Sequence, residues 1–275
     1  PWRSTAFTAL LQTAGVLCLT TNHRAAPGED DLLALQQALR LGTLCQHNEL
    51  YNIWNQVLST RAYDDSATIL TAALSTSKIH IARGARARGS EVMHVSNVAV
   101  VRGVRVLSSA GVTFGGIGCR VRLTRALQDE AGDTRAQGLE GEVVEIGLLR
   151  EDEKIAADNI RVCIRSEDTI SFWIRGSAGV SSGAEGTVKA TKLYIADVSV
   201  MTVQAAQGIT LAGKVVIDGR HGMAPGWLSV ALTRATKLDH VVIRNCSPER
   251  ADEVAPTKEQ IAWCNRLEAL ALNNK

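Results

Sequence analysis

Two segments near the C-terminal end carry the side chains best suited to chemistry on a phosphate. Residues 201–211 read MTVQAAQGITL and residues 227–237 read WLSVALTRATK. Each joins an apolar stretch to a polar cluster, Thr202 with Gln207 and Gly208 in the first, Ser229 with Thr233 and Arg234 in the second. Arginine is permanently charged and forked, which suits it to stabilise charge developing on a transferred phosphoryl group. Gln207 offers an amide, and Gly208 lets the backbone approach a phosphate closely. An arginine following an apolar run is, taken alone, most often a solvated surface charge; the VALTRA setting of Arg234 argues for a role. Between the two segments, residues 215–218 (VVID) read as a buried strand ending in a carboxylate.

The elements that must position these groups alternate. Residues 16–21 (VLCLTT) read as a short buried strand leading to Asn22, His23 and Arg24, and Pro27 with Gly28 breaks the chain. Residues 29–41 have helical periodicity through Leu32, Leu35 and Leu39, acidic residues at the start that complement the helix dipole, and Gly42 as a natural cap. A second helix is expected over 48–58, a strand over 67–72, and a helix over 75–88. Lys78, Arg83, Arg86 and Arg88 make that last helix basic; such a run can track a phosphate backbone, but Gly84 interrupts it, which favours a solvated helix face. Alternating strands and helices are what a parallel α/β sheet requires.

From about residue 93 to 189 the texture changes to glycines, β-branched residues and short alternating stretches at 98–101, 120–123, 142–146, 161–164 and 169–174. This is the composition of a small antiparallel barrel or sheet. Arg120, Arg122 and Arg125 can line a strand path, although alternating arginines on an edge strand are more often solubilising, and 177–186 (SAGVSSGAEG) reads as a flexible loop. Residues 228–232 are expected to form a strand before Arg234, residues 240–243 a last strand, and 247–254 a charged, proline-bounded connection. Residues 258–272 read as an amphipathic helix carrying Trp263.

In order, spacing and content, 201–211 and 227–237 resemble motifs V and VI of superfamily 1 helicases, in the RecD-like and Pif-type branch and its herpesvirus helicase–primase relatives. The arrangement of strand, NHRA, helix and LRLG over 16–42 resembles motif IV of the same proteins, and GCRVRLTR with GLEGEVVEI (118–125, 138–146) resembles a segment of their inserted barrel. The resemblance implies an α/β fold in which a RecA-like parallel sheet domain, the second motor domain, carries an inserted small β-barrel. The implied division is 1–92 and 191–275 for the motor domain and 93–190 for the insert. It implies Arg234 and Arg24 as catalytic arginines reaching the γ-phosphate, and Gln207, Gly208 and Thr233 as nucleotide-binding and coupling residues. Thr202, Gln204 and Ser229 would contact single-stranded DNA, or RNA. ATP and Mg²⁺ would be bound mainly by an N-terminal RecA-like domain carrying Walker A and B, and movement would run 5′ to 3′. Two departures stand out. Gln204, Ala205 and Ala206 occupy a place where many relatives carry a basic residue, and Ala126 and Glu140 replace asparagines of the barrel segment.

No GxxxxGK[ST] occurs in the chain, so no loop here cradles β- and γ-phosphates with a lysine. The expectation is therefore the C-terminal part of a longer ATP-dependent DNA helicase, inactive alone. The alternative is a helicase-like domain without a motor, acting as a scaffold or nucleic-acid-binding module in an assembly. The 275 residues carry a net charge of only +2, so any nucleic-acid binding rests on a local groove rather than on global charge. The six cysteines show no CxxC spacing, which argues against a metal site or disulfide framework and suits a reducing, intracellular compartment. No apolar run approaches the ~20 residues that span a bilayer.

Overall fold

A computed structural model describes residues 25–58, 67–150, 154–183, 186–220 and 223–273. The strand expected at 16–21 and Arg24 lie outside the described residues. In chain order the elements are α1 (Asp30–Leu41), α2 (Asn48–Val57), β1 (Thr68–Thr71), α3 (Leu74–Ala87), β2 (Met93–Val101), β3 (Val104–Phe114), β4 (Arg120–Leu123), β5 (Leu127–Gln128), β6 (Thr134–Arg135), β7 (Glu140–Leu148), β8 (Ile160–Ser166), β9 (Ser171–Arg175), β10 (Ser177–Gly183), β11 (Gly186–Lys192), β12 (Ile195–Asp197), β13 (Val200–Thr202), β14 (Val215–Asp218), α4 (Trp227–Leu232), β15 (Val241–Arg244), α5 (Pro248–Glu253) and α6 (Lys258–Asn273). The chain forms two compact units. One comprises Pro1–Tyr63, Leu70–Ala73 and Thr202–Lys275, the other Asp64–Ile69 and Leu74–Met201.

The first unit is α/β. Its strands belong to a sheet of order β13–β1–β14–β15, in which β14 and β15 run parallel with Val215 opposite Val241. All four residues of β14 are buried, as a strand covered on both faces requires. Helix α1 buries Leu32, Leu35 and Leu39, and Gly42 closes it at φ +66°. In α2, Trp54 is fully buried and its indole donates to the Cys246 carbonyl at 3.3 Å. The carboxylate of Asp252 accepts from the backbone of Leu44 and Cys45, each at 2.9 Å, tying α5 to the turn after α1.

Two local expectations in this unit are overturned. Residues 228–232, read as a strand, lie in helix α4. Its buried residues are Trp227, Leu228, Ala231 and Leu232, a helical spacing that a six-residue apolar run conceals, because strand and helix both fit so short a window. The connection at 247–254 contains helix α5: the Ser247 side chain accepts from the backbone of Arg250, and Pro248 occupies the first turn, where its missing N–H costs nothing.

The second unit is antiparallel. A five-stranded sheet runs β12–β4–β7–β8–β9, and a four-stranded sheet runs β10–β11–β2–β3. Val95, Phe114, Val121, Val143, Ile160, Val162, Ile174 and Ile195 point into one core, so alternate residues of both sheets build a small barrel-like body. β4 lies between β12 and β7, which corrects the edge-strand reading of its arginines: Arg120 instead pairs with Glu140 across the ladder at 3.0 Å. Residues 177–183 and 186 are likewise strand rather than loop; β10 and β11 pair antiparallel there, with Ser177 opposite Lys192 and Gly183 opposite Gly186. Small polar residues concealed a strand whose register is set by its partner. Helix α3 runs unbroken through Gly84, which faces the buried side.

Candidate functional site

The site is built from the segments after β13 and β14 in the first unit. After β13 the chain winds through a tight turn over 203–208. Val203 N donates to Thr71 O at 3.0 Å, Ala206 N to Thr202 O at 3.0 Å, and Gln207 N to Gln204 O at 3.3 Å. The Thr202 hydroxyl accepts from the backbone of Ala205 at 3.3 Å, so its oxygen organises the turn. Val203 and Ala206 are buried, whereas Gln204, Ala205, Gln207 and Gly208 are exposed. The turn therefore anchors on small apolar residues and presents two amides. Gly208 stands at φ +85° with open space around its α-carbon. Its glycine is needed for conformation rather than for room.

Helix α4 starts at Gly226, whose φ is +80° and whose N–H donates to Val254 O at 2.8 Å. The positive φ calls for glycine there, and a β-carbon would also press on Pro256 Cγ at 3.3 Å. At the other end of α4, the Gln36 amide of α1 donates to Leu232 O at 3.4 Å. The chain after the turn and the chain after α4 are then joined: Leu211 N donates to Arg234 O at 2.8 Å, and Leu211 bridges Ala235 in parallel.

Within this unit Gln204, Gln207 and Ser229 line one cleft of about 420 Å³. Its remaining wall is apolar: Val203, Pro225, Trp227, Val230, Pro256 and, from α6, Trp263 and Cys264, with Gln260 beside them. Sequence reasoning missed α6 as a wall of the site. The available signal was the i, i+3, i+4 spacing of Gln260, Trp263 and Cys264, which puts all three on one helix face. A cleft with polar amides over an aromatic and proline surface can hold a planar, hydrogen-bonding group.

Thr233 and Arg234 do not line the cleft. The Thr233 hydroxyl donates to Val230 O at 2.8 Å and accepts from Arg234 Nη2 at 2.8 Å, while Arg234 Nε donates to Val230 O at 3.2 Å. Arg234 is only 7% exposed. Its guanidinium is folded back over the last turn of α4, where a cation offsets the partial negative charge of the helix end. Asp218, at the end of β14, is fully buried and accepts from Arg220 N at 3.1 Å and Asn245 Nδ2 at 2.8 Å. That carboxylate ties the ends of β14 and β15. Beside it the buried Cys246 thiol is pushed up to about 11 by burial, which leaves it protonated near neutrality.

No protein-family model and no curated protein sequence matches this chain. Among solved structures it is similar to Bacteroides Pif1 bound to ssDNA (TM-score 0.62, 15% identity, 98% of this chain and 60% of that one). It is also similar to the Pif1 helicase from Candida albicans (0.61, 16%, 87% and 58%) and to a structure of two coordinating Pif1 helicases unwinding forked dsDNA (0.56, 13%, 90% and 52%). At these identities the likeness is one of fold: a RecA-like α/β sheet with antiparallel sheets, as found in Pif1 helicases. The chain spans a little over half the length of the structures it resembles. No helix among the described residues is long and apolar enough to cross a membrane.

Proposed function

We propose that this chain is the second motor half of an ATP-dependent DNA helicase of the Pif1 type, moving 5′ to 3′ on single-stranded DNA. The observation that carries the reading is the meeting of two distant segments, with Gln204 and Gln207 sharing a cleft with Ser229. The Leu211–Arg234 backbone bond joins the same two segments a few residues on. A strand contact at the cleft and a nucleotide contact at the end of α4 are thereby coupled through one short helix, which is what relaying nucleotide state to a nucleic acid demands. The triphosphate is a shared substrate. The resemblance assigns Mg²⁺ and the β- and γ-phosphates to a companion RecA-like domain with a lysine-bearing phosphate loop, a motif this sequence does not contain.

In that arrangement Arg234 leaves its seat on Val230 O and Thr233 Oγ1 to stabilise charge on the γ-phosphate, with Arg24 as a second cation. Thr233 and Gly208 shape the approach, and Thr202 holds the turn that presents Gln204 and Gln207. The test is DNA-stimulated ATP turnover by the chain joined to a P-loop domain. Arg234→Ala is expected to lower kcat by about 10³-fold or more while nucleotide and DNA binding persist, and Arg234→Lys to rescue poorly, since an ammonium lacks the fork. The chain alone is expected to show no turnover above background; steady-state hydrolysis by it would sink the reading. The second reading, a nucleic-acid-binding scaffold, is favoured by the buried, folded-back Arg234 and the absence of a basic residue at 204–206. It predicts unchanged turnover in Arg234→Ala.

A further inference from the structure

Helix α3 separates into two faces. Thr76, Ser77, His80, Ile81, Gly84 and Ala85 are buried. The opposite stripe carries Ser75, Lys78, Ile79, Arg83 and Arg86, all exposed. The helix has no acidic residue. Elsewhere in the same unit several exposed arginines form ion pairs: Arg105 with Asp158, Arg120 with Glu140, Arg165 with Glu142 and Arg175 with Glu130. Lys78, Arg83 and Arg86 have no such partner among the described residues. Three cations without an ion-pair partner thus share one face of one helix that carries no acid.

At ~1.5 Å rise per residue, Lys78 and Arg83 stand ~7.5 Å apart along the axis and Arg83 and Arg86 ~4.5 Å. Flexible side chains on that row reach neighbouring phosphates of a nucleic-acid strand, which repeat at ~3.4 Å along a duplex. Single-strand binders add aromatic side chains on which unpaired bases stack; this stripe has none. Its large apolar residues are Ile79 and, at the helix start, Leu74, 44% and 65% exposed. Two aliphatics do not make the broad apolar face that seats a helix in a membrane surface. We propose that the exposed face of α3 docks on the phosphate backbone of a nucleic-acid duplex, independently of base sequence. This goes beyond the reading of the cleft and does not depend on it.

The experiment is fluorescence anisotropy of the whole chain with a labelled blunt DNA duplex, the matching single strand, and phosphatidylserine vesicles, over a salt series. Three released counterion sites contribute roughly 2.7 to the slope of log K against log salt. The Lys78→Gln/Arg83→Gln/Arg86→Gln variant is expected to flatten the duplex slope by that amount and weaken duplex binding at low salt by more than about tenfold. Arg83→Lys/Arg86→Lys is expected to keep the parental slope, which separates loss of charge from loss of fold, and circular dichroism checks the latter directly. No measurable duplex binding by the parent, an unchanged slope in the glutamine variant, or a loss confined to the single strand or to the vesicles would each overturn the proposal. Gln204→Ala serves as the distinguishing variant. It should reduce single-strand binding and leave the duplex slope unaltered, so the cleft and the α3 face fail separately.

Discussion

Replacing Arg234 by alanine tests the two things this side chain is asked to do. In the structure its guanidinium donates through Nη2 to the Thr233 hydroxyl at 2.8 Å and through Nε to Val230 O at 3.2 Å, in surroundings that leave the residue 7% exposed. Hydrogen bonds from a charged donor contribute ~1.5–3 kcal/mol, and a cation at a helix C-terminus adds ~0.3–1 kcal/mol. Truncation also leaves Val230 O with the Thr233 hydroxyl as its remaining side-chain donor. Arg234→Ala should therefore destabilise the first unit by about 2–3 kcal/mol. Arg234→Lys keeps the charge but can satisfy one acceptor at a time, and should lose about 1 kcal/mol. Urea unfolding followed by tryptophan fluorescence reads this directly, because Trp54 and Trp227 are buried in the same unit. An alanine variant within ~0.5 kcal/mol of the parent would refute the anchoring described here, since that is the ordinary effect of a surface substitution. The stability measurement also sets the temperature for the turnover assay. A lysine variant that is folded and turns over ATP like the parent would remove the reason for assigning Arg234 a forked contact with phosphate.

Gly226→Ala and Gly208→Ala share a positive φ, at a cost of ~1–2 kcal/mol each, but only Gly226 also faces Pro256 at 3.3 Å. Chemical denaturation should rank Gly226→Ala as the more damaging, and equal losses would show that the contact with Pro256 relaxes freely. Ser247→Ala removes the side-chain acceptor for Arg250 N and should lower stability by ~1 kcal/mol, while Ser247→Asn should restore most of it. The side-chain hydrogen bond from Arg105 holds the Asp158 carboxyl below the usual carboxylate range. A depressed folded-state value means stabilisation present above the unfolded value, ~3.9, and lost as pH falls through the folded one. The pair is partly exposed, so Asp158→Asn should cost no more than about 1 kcal/mol at neutral pH and nothing near pH 2; a loss that persists in acid would point to packing instead. Cys246, buried and raised to about 11, should resist thiol reagents in native buffer and react on unfolding.

Much of this architecture was written in local pattern. The leucine spacing and glycine cap of α1, the four apolar-to-acidic residues of β14 and the alternating RVRL of β4 lie where periodicity puts them, because each element satisfies its own backbone and one buried face. The chemistry-bearing residues around Gln207 and Arg234 were also legible, as residue types in an unusual order. What tertiary structure decided is how those residues are presented. Six residues, Trp227–Leu232, fit strand and helix equally as a string; Gly226 packed on Pro256 and the Gln36 amide on Leu232 O go with the helix. The serines and glycines of β10 carry no strand signal, and only pairing with β11 gives them one. Trp263 reaches the cleft from a helix some thirty residues beyond Ser229, a distance no local window spans. Arg234 reads in sequence as a charge displayed for a partner, yet the fold seats it on its own helix end, where the Val230 carbonyl and Thr233 hydroxyl hold a guanidinium that water would otherwise solvate. Sequence determined which polar groups this protein carries; three-dimensional packing determined which of them line the cleft and which fold back on their own helix.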